Sequence, residues 1–300
     1  MMCFLAFQWQ SFFMHGGAMS ELSSFRSPVP NSFAAVQGKY ADFTALAPKL
    51  NHLLAALPEA EYARLASHLE PVSWPAGRTV HAACDRQKYV YFPISGIVSQ
   101  FYMMQDGACS EFALTGNEGA IGVASFLGGE SAPSGTMALI AGQAFRLRAD
   151  LLQDEFERGG ALALLLLRYT LALITQIGQI AVCNRHHSLE QRLCRWILSV
   201  LDRSPSNQLA MTHEVMADAL GVRREAVTLS AGRLQLAGLI QYSRGHLTVL
   251  DRHRLVARVC ECYAVVRREY DRLLPECRQT AAQPIAQPNP IAPRPRLAMA

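Results

Sequence analysis

Two helical segments separated by one glycine make up residues 212–237, which read THEVMADALGVRREAVTLSAGRLQLA. Thr212 can cap the first segment, because its hydroxyl can accept a hydrogen bond from a free N–H group of the first turn. Apolar residues at helical spacing continue to Leu220, and Gly221 suits the left-handed position that ends a helix. A second helix predicted to start near Arg223 completes a helix-turn-helix. The apolar residues that it is predicted to bury are Val227, Leu234 and Leu236.

The second helix opens with Arg223, Arg224 and Glu225, and Thr228 follows one turn later. In DNA-binding motifs of this kind, the N-terminal end of the second helix enters the major groove. Arginine can form two hydrogen bonds with a guanine edge, and glutamate can accept one from cytosine N4. An ordinary helical hairpin with a solvated charged end has the same pattern, so this stretch alone leaves both interpretations open.

A short β-hairpin follows the two helices. The strand-like runs 240–242 and 247–250 flank Ser243-Arg244-Gly245-His246, which is typical of a tight turn with a basic tip. A helix-turn-helix followed by such a hairpin is a winged helix, whose wing we expect to contact phosphate. The predicted DNA-binding residues are Arg223, Arg224, Glu225, Thr228, Arg233, Thr212, Arg244 and His246.

The charge of the chain is unevenly distributed. Its length of 300 residues suggests about two domains, and its formal net charge is +4. Arginines outnumber acidic residues between 188 and 278, whereas residues 1–187 have a small acidic excess. A basic C-terminal half favours nucleic acid as a partner. We predict a winged helix-turn-helix domain at 188–275, with one helix capped by Ser188 and a last amphipathic helix from Arg254 to Leu274.

The eight cysteines include no C-x2-C pair and lack the density of a secreted disulfide framework, so we expect reduced thiols and a cytoplasmic protein. Cys260 and Cys262 are predicted to lie in one helix, where residues two positions apart point to different faces. We interpret His186 and His187 as solvated hinge residues. We therefore expect no metal site, no cofactor and no catalytic residues.

The N-terminal region and the tail are predicted to lie outside the fold. Residues 1–43 are assigned to a disordered or mis-assigned extension and a linker, with Met19 as the hypothetical true start. The first 18 residues are too short and too interrupted by polar residues to cross a bilayer. The tail at 276–300 is rich in Pro, Ala and Gln, so we expect it to be disordered.

Residues 44–155 are predicted to form an antiparallel β-roll. Residues 51–69 should form two short helices broken at Pro58, and Trp74 to Gly77 a turn. Short strand-like runs with turn residues between them are typical of a sandwich or roll, and Asp106-Gly107 of a hairpin. The predicted strands are Thr79–His81, Tyr89–Phe92, Ile97–Met103, Cys109–Leu114, Ala138–Ile140 and Gln143–Arg148. The fold class is α+β, a jelly-roll-like roll followed by a long helix.

The long helix is assigned to residues 156–187, and its apolar part runs from 161 to 184. Polar residues such as Arg168 and Gln176 argue against a membrane span. A helix that is apolar on two faces must be covered on two sides. We expect the roll on one side and the same helix of a second subunit on the other; a monomer with a central buried helix is the alternative. The predicted dimer interface is Leu164, Leu167, Leu171, Ile174, Gly178 and Ala181.

From about Leu50 to Leu274, this order of roll, long helix and winged helix-turn-helix resembles the Crp/Fnr family of bacterial transcription regulators. Residues 74–80, WPAGRTV, are similar to the family's Pro-x-Gly entry to the roll, and 89–98 to its tyrosine-and-glycine strand pair. Residues 118–122 resemble its Gly-Asp-x-x-Gly turn. The helix-turn-helix pattern falls on Ala217, Gly221, Arg224, Glu225 and Val227. The resemblance implies that Arg224 and Glu225 read bases; Arg223 replaces the usual Ser, so the half-site sequence does not carry over.

The resemblance also implies an effector pocket in the roll, which we place at Glu118, Val123, Pro133 and Ser134. Cyclic-nucleotide members have Glu after the glycine turn and Arg-Ser against the cyclic phosphate, whereas this chain has Val123 and Pro133-Ser134. A buried phosphate without its arginine would leave a charge unpaired, so cyclic AMP is disfavoured. Cys3 alone does not provide the cysteine cluster of iron–sulfur members. A haem bound through His81 of the roll stays open as an alternative, although a lone histidine is more often a surface residue.

The sequence therefore predicts a cytoplasmic, homodimeric regulator that binds a two-fold symmetric site in double-stranded DNA, with RNA polymerase as a further partner, no membrane and an unknown effector. Two alternatives stay open. A cupin-like metal-dependent enzyme would use His81 and Glu111 on the strands, but it needs more clustered ligands than these. The other alternative is a ligand sensor whose winged helix binds protein; binding to random duplex DNA that weakens steeply with salt would argue against it.

Overall fold

The structure, a computed structural model, describes residues 47–275. The predictions for residues 1–43, including a start at Met19, and for the tail at 276–300 lie outside the described residues. Antiparallel sheets are followed by a long helix and then by a helical domain with a small wing, which confirms the predicted α+β class.

The first half of the described chain contains seven strands and four helices. The helices are α1 His52–Ala55, α2 Glu59–Ala66, α3 Ala149–Glu157 and α4 Ala161–His186. The strands are β1 Glu70–Trp74, β2 Thr79–His81, β3 Tyr89–Pro93, β4 Ile97–Met103, β5 Cys109–Thr115, β6 Gly135–Ile140 and β7 Gly142–Arg148.

The strands form two antiparallel sheets, in the orders β1-β7-β3 and β2-β6-β4-β5. Side chains from both sheets, including Trp74, Val98 and Ala144, pack into one buried cluster, so the predicted roll is confirmed. The predicted turn at Trp74 was wrong at its first residue, because Trp74 ends β1 and is buried. The sequence analysis did not predict β1, which contains Pro71. An edge strand tolerates proline, since one side of it makes no ladder hydrogen bonds.

The inner face of α4 packs under the roll. Leu162, Leu166 and Tyr169 are fully or almost fully buried in a cluster with Phe92 of β3. The Tyr169 hydroxyl donates to the Ala120 carbonyl at 3.0 Å. A Cβ atom on Gly119 would lie 2.5 Å from the Tyr169 ring, so only glycine fits beneath that ring. The roll therefore covers one face of α4, as the sequence predicted.

The opposite face of α4 carries an exposed apolar stripe. Leu164, Leu167, Leu171 and Ile174 are 46–58% exposed, and Gly178 and Ala181 are also exposed. These are the residues of the predicted dimer interface, which stays a prediction. Within residues 47–275, α4 is the one helix long and apolar enough to cross a membrane. Its inner face is nevertheless occupied by the roll and by the last helix, which also packs against α4.

The second half of the described chain is a compact helical domain. Its elements are α5 Leu189–Leu201, β8 Gln208–Ala210, α6 His213–Leu220, α7 Arg224–Leu236, β9 Ile240–Ser243, β10 His246–Val249, α8 Arg252–Arg258 and α9 Glu261–Leu273. Ser188 caps α5 through a capping box with Gln191. The wing is a three-stranded sheet in the order β8-β10-β9, and the sequence analysis missed β8.

The core of this domain lies between α5, α6 and α7. Trp196 and Val227 are at most 1% exposed in one cluster with Leu234. The prediction that α7 also buries Leu236 was wrong, because Leu236 is 91% exposed. Two positions after Leu234, a helix has turned by about 200°, so Leu236 lies on the opposite face.

The predicted single helix from Arg254 to Leu274 was also wrong, since the chain forms two helices, α8 and α9. Val259 and Cys260 between them have extended backbone, with ψ of 154° and 162°. Cys260 is therefore the N-cap of α9 and not a helical residue. The argument that Cys260 and Cys262 point to different faces of one helix fails, because the chain changes direction between them.

Candidate nucleic-acid interface

The turn before α7 has the conformation that Gly221 predicted, with a capped helix on its N-terminal side. Thr212 caps α6, accepting from the Val215 N–H at 3.2 Å. Gly221 ends α6 with φ of 62°, the left-handed conformation that glycine adopts without a Cβ clash. The Arg192 guanidinium donates to the Leu220 carbonyl, which fixes the end of α6 to α5. These contacts fix both ends of α6 and the start of the turn that leads into α7.

The N-terminal end of α7 faces solvent. Arg223, Arg224 and Glu225 are exposed, and no ion pair to them occurs within residues 47–275. Arg223 is the N-cap but its side chain makes no capping hydrogen bond. The first N–H groups of α7 therefore lack a side-chain acceptor, and free helix N-termini attract phosphate. The two exposed arginines and these N–H groups place positive charge and free donors at the same end of α7.

Thr228, a predicted DNA contact, is exposed and makes two hydrogen bonds within the domain. Its hydroxyl donates to the Arg224 carbonyl at 3.0 Å and lies 2.9 Å from Nδ1 of His213. With its proton used on the carbonyl, the hydroxyl accepts from an Nδ1–H group of His213. Only the outer face of Thr228 is left for a ligand.

His213 and Tyr242 extend this surface, and the sequence analysis missed both. Their rings stack at 4.0 Å between centroids. Burial, and secondarily the Arg224 charge, lowers the pKa of His213 below its ordinary value, so the imidazole is neutral at pH 7. No local pattern in the sequence indicates this pair. The two residues meet because the fold of the wing brings β9 beside the start of α6.

The tip of the wing is a two-residue turn. Arg244 and Gly245 have φ of 48° and 81°, the double positive φ of a type I′ hairpin turn. Arg244 and His246 are exposed, so both predicted phosphate contacts lie on the surface. The Met211 N–H donates to the Gly245 carbonyl at 2.7 Å, which anchors the wing beside the Thr212 cap.

Arg233 lies in the last turn of α7 and is exposed. It has no ion-pair partner among the described residues. Arg254, by contrast, donates to the Ala237 carbonyl at 3.1 Å and caps the end of α7. The arginines of this domain thus divide into structural ones and ones that leave their charge free for a ligand.

The roll packs Ile97, Leu114 and Leu139 into the core cluster of this domain. Three further local contacts join the two parts. Glu111 of β5 accepts from Trp196 Nε1 of α5 at 2.9 Å and from the Ser99 hydroxyl at 2.7 Å. Burial raises the pKa of Glu111 to about 7. Close by, a Cβ atom on Gly221 would lie 3.3 Å from Ser110 Oγ, so the turn of the motif approaches β5.

Glu118, a residue of the predicted effector pocket, makes the third contact. Its carboxylate accepts from Arg203 Nε of α5 at 2.6 Å, and Arg203 also donates to Gln176 of α4 at 3.2 Å. Glu118 lines a cavity between the roll, α4, α5 and α9. Val123, Pro133 and Ser134 do not line that cavity, and Pro133 is exposed. The effector pocket at these four residues stays a prediction.

His81 is buried at 8% exposure, so the interpretation of it as a surface residue was wrong. Its ring packs edge-on against Tyr91, with 5.3 Å between centroids. Burial lowers its pKa below the ordinary value. Within residues 47–275, neither His81 nor Glu111 belongs to a cluster of three or more metal-ligating side chains, which a cupin-like metal site would require.

The comparisons with known proteins agree with this geometry. Residues 191–258 match the model of the Crp-like helix-turn-helix domain. No curated protein matches the chain significantly.

Similar solved structures include a putative transcriptional regulator of the Crp/Fnr family from Eubacterium rectale, 18% identical with a TM-score of 0.58, covering 70% of this chain and 98% of that one. FixK2 from Bradyrhizobium japonicum is 17% identical with a TM-score of 0.57, covering 64% and 98%. The c-di-GMP responsive global regulator CLP from Xanthomonas campestris is 17% identical with a TM-score of 0.54, covering 65% and 100%.

At these identities the structural likeness establishes the fold, and the family model establishes the type of helix-turn-helix. Both agree with the resemblance seen in residues 50–274. The chain therefore has a Crp-like helix-turn-helix domain at residues 191–258 within a fold similar to that of the Crp/Fnr regulators.

Proposed function

We propose that this protein is a cytoplasmic, DNA-binding transcription regulator that acts as a homodimer on a two-fold symmetric site. The observation that carries the proposal is the exposed N-terminal end of α7, where Arg223 and Arg224 flank N–H groups without a side-chain cap. In a helix-turn-helix this end enters the major groove. Arg224 is assigned to a base edge, Glu225 lies beside it, and Arg223 is assigned to phosphate or a base.

The wing supplies the second set of contacts. Arg244 and His246 are exposed at the tip, and the Thr212 cap lies directly beneath it, with its methyl group 3.8 Å from an added Cβ on Gly245. Phosphate contacts of this kind carry affinity and register, not sequence. Arg233, further along α7, is assigned to the same backbone contacts.

The dimer is supported by the apolar stripe of α4. Four large side chains that are about half exposed would be covered by the same stripe of a second copy. Each would gain about half of the ~1.5–3 kcal/mol that full burial of an exposed side chain contributes. A two-fold axis along α4 would present two recognition helices to one face of DNA, about 34 Å apart. Gly178 and Ala181 would let the two helices approach closely near their C-terminal ends.

The roll is assigned a sensor role through its contacts with α5. Glu111–Trp196 and Glu118–Arg203 both connect the roll to the first helix of the DNA-binding domain. A ligand that favours one arrangement of these contacts would shift the population of domain positions and thereby the spacing of the recognition helices. Val123 and Pro133 stand where cyclic-nucleotide members carry their ligand-binding residues, so cyclic AMP in that geometry is disfavoured. RNA polymerase is proposed as a partner on the resemblance alone.

The test is selection of bound sequences from a random duplex pool with purified full-length protein. A two-fold symmetric consensus is expected, with affinity that falls steeply as salt rises because released counterions contribute to binding. The Arg224→Ala variant should select a consensus degenerate at one position in each half-site. Arg86→Ala, which removes a similarly exposed charge from the roll, is the matched control. Enrichment of no sequence, together with salt-insensitive weak binding, would favour a winged helix that binds protein.

A further inference from the structure

Four metal-ligating side chains from two distant segments converge at the junction of α4, α8 and α9. Cys183 and His187 are one helical turn apart at the end of α4, and Cys260 and Cys262 begin α9. One ligand atom from each lies within 4.8 Å of the other three. The sequence predicted no metal site here, on the ground that Cys260 and Cys262 point to different faces of one helix. That ground fails, because the break before α9 turns both residues towards the end of α4. His187 lies at the predicted hinge and is partly exposed.

Two of the ligand separations fit a tetrahedral zinc site. Zinc–sulfur bonds of about 2.3 Å and zinc–nitrogen bonds of about 2.0 Å place two ligand sulfurs about 3.8 Å apart and a sulfur and a nitrogen about 3.5 Å apart. The Cys183 and Cys260 sulfurs are 3.5 Å apart. The Cys262 sulfur and Nδ1 of His187 are 3.6 Å apart. One tetrahedron therefore accommodates both measured edges.

The surroundings also suit a metal centre. Cys183, Cys260 and Cys262 are at most 3% exposed, and the cluster is closed to solvent apart from the partly exposed His187. Nε2 of His187 lies 3.3 Å from a carboxylate oxygen of Glu261. A proton on Nε2 would bind that carboxylate and leave Nδ1 free as a ligand. Metal-binding histidines almost always have such a partner on their other nitrogen.

We propose that Cys183, His187, Cys260 and Cys262 bind one Zn²⁺ ion in a closed Cys3His site. The three thiols release their protons on binding and the neutral imidazole loses none, so Zn²⁺ and three thiolates have a net charge of −1. The Arg192 guanidinium, whose charge interacts with Cys183, balances part of it. All four positions are taken by protein ligands, which is the arrangement of a structural site and not of a catalytic one.

The site joins parts of the chain that are 77 residues apart in sequence. It attaches the end of the proposed dimerisation helix to the last helix of the DNA-binding domain, next to the hinge at His187 and Ser188. Zinc would therefore limit how far α9 can move relative to α4 while leaving α5 to α7 free of direct metal contact.

Metal analysis of full-length protein purified under reducing conditions from zinc-supplemented cells tests the proposal. One zinc per chain is expected. Cobalt substituted for zinc should give the intense visible bands of a tetrahedral site and a thiolate-to-cobalt charge-transfer band. Cys183→Ser and Cys262→Ser should abolish stoichiometric zinc, and Glu261→Gln should weaken the affinity about 10- to 100-fold with the four ligands intact.

Two control variants test whether the loss of zinc is specific to the four proposed ligands. Cys194→Ala removes a buried thiol near this cluster that is not one of its ligands, and Cys84→Ser removes an exposed one; both should retain one zinc per chain. If a ligand variant does not fold, the wild-type zinc content and cobalt spectrum decide by themselves. Wild-type protein without stoichiometric zinc and without cobalt–thiolate bands would overturn the proposal. So would zinc that persists in Cys183→Ser, or a Cys183–Cys260 disulfide in protein kept under reducing conditions.

Discussion

Replacing Glu111 with Gln is predicted to stabilise the protein at pH 8 much more than at pH 5. The Glu111 carboxyl is 5% exposed at the contact between β5 and α5. Burial raises its pKa from 4.5 to about 7, and hydrogen bonds from Ser99 and Trp196 and the charges of Arg195 and Arg203 offset only part of that rise. At neutral pH and above, the fold therefore holds a carboxylate that would be more stable in water.

The magnitude follows from proton linkage. Between pH 4.5 and about 7, the folded state holds a proton that the unfolded chain has released, so the free energy of unfolding falls as the pH rises. Burial of Glu111 lowers the free energy of unfolding by ~1 kcal/mol at pH 5. At pH 8, which is above both the unfolded and the folded pKa, it lowers it by ~3 kcal/mol. Glutamine does not titrate. Its oxygen can still accept from Trp196, and its amide can donate to the Ser99 oxygen.

Chemical denaturation of the wild type and Glu111→Gln at pH 5 and pH 8 measures this difference. The gain from the substitution should be ~2 kcal/mol larger at pH 8 than at pH 5. Ser99→Ala is the companion variant, since removing a donor to the charged carboxylate should make the loss of stability with pH larger. A Glu111→Gln gain that is equal at both pH values would refute the buried-carboxylate reasoning.

Three further predictions concern DNA binding and assembly. Arg224→Ala should cost ~1–3 kcal/mol of binding to the selected site and relax specificity at one base pair, measured by fluorescence anisotropy and footprinting; an unchanged footprint would refute the assignment. Arg244→Asn should weaken binding to all sequences and lower the salt slope by about 1. It should keep the fold, because Asn tolerates the positive φ of the turn, and a large drop in Tm would contradict this. Leu171→Glu should shift a dimer to a monomer in light scattering, since it places a charge on the exposed stripe of α4; an unaltered dimer would place the interface elsewhere.

Local patterns in the sequence determined most elements of this fold. The strands from β2 to β7 and the caps at Thr212 and Ser188 lie where periodicity and capping residues predicted them. Gly221 and the turn at Arg244-Gly245 adopt the positive φ angles that their residue types favour. These signals are reliable because each depends on interactions within a few residues along the chain, which the sequence contains directly.

Only the tertiary structure decided which distant side chains meet. Nothing near Glu118 indicates Arg203 as its partner, and no spacing rule brings Cys183 to Cys260. Both pairs depend on how α4, α5 and α9 pack against each other and against the roll, because a small change in a crossing angle moves a side chain by several ångströms. The break before Cys260 had the same origin: a helical pattern ran through it, and packing of α9 on α4 overrode local propensity.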